Sequence, residues 1–138
     1  CQVIYPSVVM PEGVTHELGD GDLFRVIMAG NVRAEKNLPV VMDACALLPP
    51  HFIVSVCVYG SADDDLARQM REAGGSTASF EWMGKLPHPE LIQKLSQADL
   101  LLNSSTQEGG ANAICEAIGL GLPVVASRIS GNIGMLGD

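Results

Sequence analysis

The fold of this chain is constrained by five short apolar runs. Each run is followed by polar or glycine residues, and all but the last are then followed by a helical pattern. The first run, residues 24–29, ends at Gly30, and the second, residues 52–59, ends at Gly60. Runs this short and apolar are typical of strands buried on both faces, and no Asn-Gly hairpin turn separates them. The pattern predicts an α/β fold, a Rossmann-like parallel sheet with helices on both faces. The other three runs are residues 80–83, 99–103 and 123–126.

The predicted helices begin at residues that can cap them. Asn37 is expected to cap the first helix and Ser61 the second, because their side chains can accept the unpaired N–H groups of a first turn. The second helix is expected to end at Gly74-Gly75, and the third spans residues 90–98. The first helix is expected to turn the following residues toward the core: Val40, Val41, Ala44, Leu47 and Leu48.

Length and composition fit one domain with a core, since 47% of the 138 residues are hydrophobic. Residues 1–22, β-prone at first and then rich in glycine and acid, are predicted to be an incoming interdomain linker, and residues 23–138 the folded domain. Because the chain begins at Cys1 and stops in a glycine-rich loop, we expect a C-terminally truncated fragment of a longer protein.

Charge and cysteine usage narrow the possible partners. A formal net charge of −8 argues against nucleic acid. The four cysteines show no Cys-x-x-Cys pairing, which favours a reduced, cytoplasmic protein. No apolar run approaches the roughly 20 residues that span a bilayer, so we expect no integral membrane segment.

The loop after the first strand, residues 30–37, carries two of the eight basic residues of this acidic chain. Arg33 and Lys36 can clamp the two phosphates of a nucleoside diphosphate. The alternative is an ordinary solvated loop in which Lys36 pairs with Glu35 or Glu12. Because the loop contains neither a Gly-x-Gly-x-x-Gly run nor a Walker lysine motif, a nicotinamide, flavin or ATPase site is not indicated.

A second polar loop precedes the predicted fourth helix. Gly109 and Gly110 lead into it, and the free N–H groups and dipole of a helix start attract phosphate. Glu108 and Glu116 flank this start and can accept hydrogen bonds from sugar or ribose hydroxyls. The alternative makes Glu108 a helix cap and Glu116 a solvent-facing acid, since Asn112 and Glu116 are expected to point away from the core. The expected core-facing stripe is Ile114, Ala117, Ile118 and Gly121.

The loop after the third strand is a weaker candidate. Gly84 can offer backbone groups to a flat base and Leu86 an apolar wall, although a plain connection is an equal alternative. His88 is interpreted as a helix-start residue rather than a catalytic base. His16 and His51 have no recognisable partners, and the histidines form no visible metal set.

Taken together, these residues resemble the group 1 retaining glycosyltransferases of the GT-B fold, from about residue 24 to the end of the chain. Glu108 and Glu116, with seven residues between them in a strand-loop-helix setting, are similar to the family's Glu-x7-Glu motif. The other matching residues are Gly30, the run Arg33-Ala34-Glu35-Lys36-Asn37, Gly84, Leu86, Leu91, Asn103-Ser104, Gly109-Gly110, Ala117, Gly121, residues 123–127 and Gly131-Asn132.

The resemblance implies a two-domain enzyme whose C-terminal domain, in this chain, binds a nucleotide-sugar, while an N-terminal acceptor-binding domain is missing. Glu108 is implied to contact the donor sugar, Glu116 the ribose, and Arg33 and Lys36 the diphosphate, which makes Glu108, Lys36 and Arg33 the catalytic residues. Many members have arginine where this chain has Asn31. No metal, protein nucleophile or cofactor is implied beyond the nucleotide-sugar substrate. The donor-binding set is Gly30, Asn31, Arg33, Lys36, Gly84, Leu86, Glu108, Gly109, Gly110, Ala111, Asn112 and Glu116.

A closer likeness is to the branch described as selenosugar synthases, in residues 108–112, 116–117 and 126–129 and in Gly131, Asn132 and Gly134. This likeness implies UDP-N-acetylglucosamine as donor and selenophosphate as acceptor. Three alternatives stay open: a nucleotide-sugar epimerase of related fold, a non-catalytic nucleotide-sugar-binding module, and a protein–protein interaction module.

Overall fold

The computed structural model describes residues 10, 12–17, 21–49, 51–72, 78–109 and 111–137. The strands are β1 (Leu23–Ala29), β2 (Ile53–Tyr59), β3 (Ala78–Gly84), β4 (Leu100–Asn103) and β5 (Val124–Ala126). The helices are α1 (Leu38–Ala46), α2 (Asp64–Glu72), α3 (His88–Ser96), α4 (Asn112–Leu120) and α5 (Ser130–Leu136), and a short 3-10 turn spans Ala34–Lys36. Each predicted strand is present at nearly the predicted bounds. None of the helices described is long and apolar enough to cross a bilayer.

The strands form one parallel sheet in the order β3-β2-β1-β4-β5. The central strand β1 pairs with β2 from Leu23↔Ile53 to Ala29↔Tyr59, and with β4 on its other side. The strand order reverses between β1 and β4, and ligands of open α/β sheets bind in the crevice outside the carboxyl ends at such a point. The predicted Rossmann-like parallel sheet is confirmed.

Side chains alternate along β1 and build one core on each face of the sheet. Val26 and Met28 pack with residues of α1 and α2, whereas Ile27 packs with residues of α3 and α4. Helices therefore cover both faces, as predicted. On the second face, the fully buried helical side chains include Ile92, Leu95, Ile114 and Ala117.

Helix α1 begins directly after Asn37, as predicted, but the predicted capping contact is wrong and the predicted buried face is partly wrong. Asn37 adopts a left-handed conformation, with φ of 50°, and its side chain does not cap the helix. Val40 is 49% exposed and Leu47 is 83% exposed, although both were expected inside. Because most of this helix is apolar, its sequence does not identify the face that packs on the sheet. That face is formed by Leu38, Val41, Met42, Cys45 and Leu48.

The second helix is capped by a different residue from the one predicted. The Leu66 N–H donates to Oδ1 of Asp63 at 2.8 Å, whereas the Ser61 hydroxyl donates to Oδ1 of Asn31 at 2.7 Å. Asp63 lies one helical turn before Leu66, where a short acceptor reaches the first-turn amides. The predicted end of this helix at residues 74–75 falls outside the described residues. Helix α3 begins at His88, slightly earlier than expected.

The described part of the predicted linker packs on α3 and α4. The His16 Nε2–H donates to the Ala98 carbonyl at 2.6 Å, and the Glu17 N–H donates to the Ser96 carbonyl at 2.9 Å. His16 therefore has a partner, contrary to the sequence interpretation. Ala98 lies just after α3 and more than eighty positions from His16, so the local sequence could not indicate this contact.

Candidate functional site

A cavity of about 610 Å³ opens at the carboxyl ends of β1 and β4. Its walls are the loop after β1, the loop after β4 and the first two turns of α4. Nine predicted site residues line it: Gly30, Asn31, Arg33, Lys36, Glu108, Gly109, Ala111, Asn112 and Glu116. The predicted Gly110 lies outside the described residues. The lining also includes Ala29, Glu35, Leu91, Ser105, Gln107 and Ala113, which the sequence did not single out as ligand contacts.

Gly84 and Leu86 are not among the residues that line the cavity. The Gly84 carbonyl accepts the Gly60 N–H at 2.9 Å, and Leu86 packs half-buried against the core under α3 and α4. The apolar wall on this side comes from Leu91 of α3. Contact of Gly84 and Leu86 with a base therefore stays a prediction that this cavity does not support.

Two glycines let the loop after β1 enter the site. A Cβ on Gly60 would overlap the Gly30 carbonyl, so the ends of β1 and β2 can touch only because position 60 has no side chain. Gly30 has a φ of +119°, and a Cβ there would lie 3.2 Å from Lys36 Nζ. The glycine after β1 thus leaves room for the ammonium group of Lys36.

Lys36 and Glu108 form an ion pair across the cavity. Lys36 Nζ donates to Oε1 of Glu108 at 2.6 Å, and the Ser105 hydroxyl donates to the same oxygen at 2.7 Å. The two side chains are 18% and 16% exposed, so solvent screens the pair only partly. The sequence offered Glu35 or Glu12 as the partner of Lys36, but the carboxylate comes from 72 positions away.

Glu108 is held in its ionised form. Burial alone would raise the pKa of its carboxyl, but hydrogen bonds from Lys36, Ser105 and Asn103 and the charge of Lys36 outweigh burial, so this pKa lies below the ordinary value. The Ser105 N–H in turn donates to Oδ1 of Asn103 at 3.1 Å. The end of β4 therefore presents a fixed carboxylate to the cavity.

Backbone contacts join the two loops that carry this ion pair. The Ser104 hydroxyl donates to the Lys36 carbonyl at 2.6 Å, and the Thr106 N–H donates to the Glu35 carbonyl at 2.8 Å. From the other side, Gly131 of α5 lies so close to Glu108 that a Cβ would overlap the Glu108 carbonyl. The loop after β4 is thus packed between the loop after β1 and α5.

The start of α4 forms one wall of the cavity without a side-chain cap. Ala111 occupies the cap position in an extended conformation, with its own N–H donated to Sδ of Met135 at 3.2 Å. Ala111, Asn112 and Ala113 all line the cavity. Because the first N–H groups of a helix have no partner within it, an uncapped start beside a cavity is suited to an anion.

Glu116 is buried, contrary to the expectation that it faces solvent. It is 5% exposed, while Ile118, expected inside, is 52% exposed. The start of α3 covers this part of α4, and His88 Nε2 lies 2.9 Å from Oε1 of Glu116. The buried stripe of α4 is Ile114, Glu116, Ala117 and Leu120.

The charges of the cavity are mixed. Arg33 and Lys36 line it together with three acidic residues, Glu35, Glu108 and Glu116. Cations and an uncapped helix start suit the anionic part of a ligand, and carboxylates suit its hydroxyls. In the part of the chain that the structure describes, no three His, Cys, Asp or Glu residues are grouped so that they could hold a metal ion.

Sequence comparison relates the chain, rather than its individual site residues, to a known family. Residues 24–137 match the profile of the family described as Glycosyl transferases group 1. The UDP-N-acetylglucosamine–peptide N-acetylglucosaminyltransferase GtfA subunit of Streptococcus pneumoniae serotype 4 is 30% identical over 126 residues, which are 86% of this chain and 24% of that protein. The chain spans about a quarter of the length of the curated relatives it matches.

Solved structures share the fold. Lipopolysaccharide outer core galactosyltransferase WaaB, in its apo form, matches 99% of this chain and 40% of its own with a TM-score of 0.75 at 23% identity. Anabaena Alr3699/HepE, in complex with UDP and glucose, matches 85% of this chain and 33% of its own with a TM-score of 0.69 at 24% identity. Both likenesses show the fold.

Proposed function

Since this chain belongs to the group 1 glycosyl transferases, we propose that its cavity binds a nucleoside-diphosphate sugar as the donor for glycosyl transfer. The observation that carries the proposal is the grouping, in one cavity, of Glu108 and Glu116, of Arg33 and Lys36, and of an uncapped helix start. We propose further that residues 23–138 form the donor-binding domain of a cytoplasmic enzyme and that a separate domain, joined through residues 1–22, binds the acceptor.

The three parts of such a donor match three parts of the cavity. Glu116, near the second turn of α4, accepts the ribose hydroxyls. Arg33, Lys36 and the start of α4 bind the diphosphate, Arg as a planar fork and Lys as a point charge. Glu108, on the loop after β4, accepts hydroxyls of the sugar. Lys36 bridges the last two parts, because it already contacts Glu108 at 2.6 Å and a diphosphate would share its remaining N–H groups.

UDP is the nucleotide that we propose. The support is the Streptococcus pneumoniae relative, whose donor is UDP-N-acetylglucosamine by name and which is 30% identical across 86% of this chain. The finer assignment, transfer of N-acetylglucosamine to selenophosphate, rests only on the resemblance in residues 108–112, 116–117 and 126–129 and in Gly131, Asn132 and Gly134. It is tested by mass spectrometry of products formed by the whole protein with UDP-N-acetylglucosamine and selenophosphate.

The proposed chemistry is transfer with retention of configuration. As the sugar–phosphate bond lengthens, negative charge grows on the leaving diphosphate. Arg33, Lys36 and the α4 N-terminus stabilise that charge where it develops. The acceptor enters on the face from which the diphosphate leaves, so no protein nucleophile takes part. An epimerase would instead return an altered nucleotide-sugar without any acceptor, and product analysis of the whole protein separates the two reactions.

Calorimetric titration with UDP, GDP and ADP tests the donor site. We expect UDP to bind best, and Glu116→Ala and Lys36→Ala each to weaken UDP binding by roughly tenfold or more, because each removes a charge-assisted contact. The matched controls, Glu81→Ala and Lys94→Ala, change exposed charges outside this cavity and should leave the affinity unchanged. Binding of UDP that is equal in wild type and Glu116→Ala would show the ribose assignment to be wrong.

A further inference from the structure

The buried carboxylate of Glu116 is held from outside the cavity by a histidine. His88 Nε2 lies 2.9 Å from Oε1 of Glu116, and the two side chains are 55% and 7% exposed. Because an ionised carboxylate only accepts hydrogen bonds, Nε2 carries the proton in this contact. His88 is not among the lining residues of the cavity, so it touches the carboxylate and not the space where a ligand would lie.

The backbone around His88 is fixed before any ligand arrives. Pro87 is the cap residue of α3 and Pro89 lies in its first turn, so His88 is flanked by two residues with restricted φ. The Leu91 N–H closes this turn on the Pro87 carbonyl at 3.0 Å. Leu91 itself lines the cavity. The backbone that carries the imidazole is therefore conformationally restricted, and it lies beside the cavity wall.

We propose that His88 is a positioning residue for nucleoside recognition, an inference that rests on the proposed function of Glu116 as the ribose acceptor. The hydrogen bond to Oε1 restricts rotation of the carboxylate. One lone pair of Oε1 and both of Oε2 are left for the ligand. That is enough to accept the two vicinal hydroxyls of a ribose. The imidazole orients the Glu116 carboxylate, and the carboxylate contacts the ribose hydroxyls.

The test compares UDP with 2′,3′-dideoxy-UDP, which lacks the hydroxyls in question, by calorimetry on the 138-residue chain. Wild type should prefer UDP. His88→Ala should weaken UDP binding by roughly tenfold and leave binding of the dideoxy nucleotide unchanged, because only the hydroxyl contact depends on the orientation of Glu116. His88→Gln, whose amide N–H can replace the Nε2 donor, should recover most of the preference. His51→Ala, an exposed histidine outside the cavity, serves as the control.

The outcomes separate this inference from the proposed function. If wild type binds no UDP, the proposed function is wrong and the inference falls with it. If wild type prefers UDP and His88→Ala keeps the full preference, the positioning role is wrong while the donor site stands. An equal loss for both nucleotides in His88→Ala shows a general structural role and overturns the inference. If His88→Ala does not fold, the test uses His88→Gln alone. Loss of the preference for UDP over the dideoxy nucleotide in His88→Gln overturns the positioning role, and retention of that preference supports it.

Discussion

Glu108 and Glu116 face the same cavity but are held by different kinds of contact. Glu108 lies on a loop and is fixed by Lys36 of the loop after β1, by the buried Ser105 of its own loop and by the backbone of α5. Glu116 lies within a regular helix and has a single described side-chain partner, His88. A loop carboxylate thus needs a charged network to acquire a fixed position, whereas a helical one needs only its backbone and one hydrogen bond. The contrast predicts that changes around Glu108 lower the free energy of unfolding, whereas changes around Glu116 mainly weaken binding of the proposed nucleotide ligand.

The largest effect is expected from Gly131→Ala. A Cβ at this position would overlap the Glu108 carbonyl, so either α5 or the loop after β4 must move. We expect the free energy of unfolding to fall by about 3 kcal/mol. Urea denaturation measures it. Gly119→Ala, on the helix of Glu116, is the matched control, because its Cβ would meet only the flexible Met10 side chain; its change should stay within about 1 kcal/mol. Wild-type stability of Gly131→Ala would show that α5 does not fix Glu108.

Next in size is the coupling between Lys36 and Glu108. The free energy of unfolding is measured for Lys36→Met, for Glu108→Gln and for the double variant. This double-mutant cycle should give a coupling energy of about 2 kcal/mol, since each single change leaves a largely buried charge without its partner. The same cycle with Glu116→Gln in place of Glu108→Gln should give less than about 0.5 kcal/mol. Comparable coupling in both cycles would remove the contrast between the two carboxylates.

A smaller effect is expected from Ser105→Ala. This change removes one neutral donor from Oε1 of Glu108 while Lys36 remains, so it should lower the free energy of unfolding by about 1 kcal/mol. Ser79→Ala, on the exposed part of β3, should change it by less than about 0.5 kcal/mol. Thermal unfolding of both variants checks the difference, and equal values would mean that the serine hydroxyl does not support Glu108.

The smallest signal is the dependence of stability on pH. The pKa of Glu108 is lowered below the ordinary 4.5 by its hydrogen bonds and by Lys36, against the opposing effect of burial. A lowered folded-state pKa gives stability that is present above the unfolded value and is lost as pH falls through the folded value. Wild type should therefore lose more stability than Glu108→Gln between neutral pH and the acid side of pH 4.5. Parallel pH profiles of the two proteins would contradict this.

The parts of the structure that sequence could predict are those with a local cause. The apolar runs located each strand that the structure describes, and the residue types of the two loops together with the family resemblance identified nine of the residues lining the cavity. What the sequence could not show depends on other elements. Glu116 is buried because α3 lies over it. The exposure of Val40 could not be predicted because most of α1 is apolar, so its sequence does not identify the face that packs on the sheet.

The partners within the site were missed for the same reason. Lys36 pairs with Glu108, which lies 72 positions further along the chain. His88, at the start of α3, contacts Glu116 of α4. One signal was available for His88: it lies between two prolines at a helix start, where the backbone is restricted, as the positioning role proposed above requires. The roles of these residues toward a donor stay predictions until binding is measured.

The contacts from Ser104 and Thr106 to the loop after β1 have a consequence for how the site is made. They join segments 68 and 71 positions apart. The first half of the chain therefore cannot form the cavity alone, and the cavity exists only once β4 has docked beside β1. Contacts of such long range form only after the entropy of closing the intervening chain has been overcome. If the cavity binds a nucleotide, as we propose, the nucleotide recognises only chains that have completed this docking, and its binding shifts the folding equilibrium of the whole sheet toward the native state.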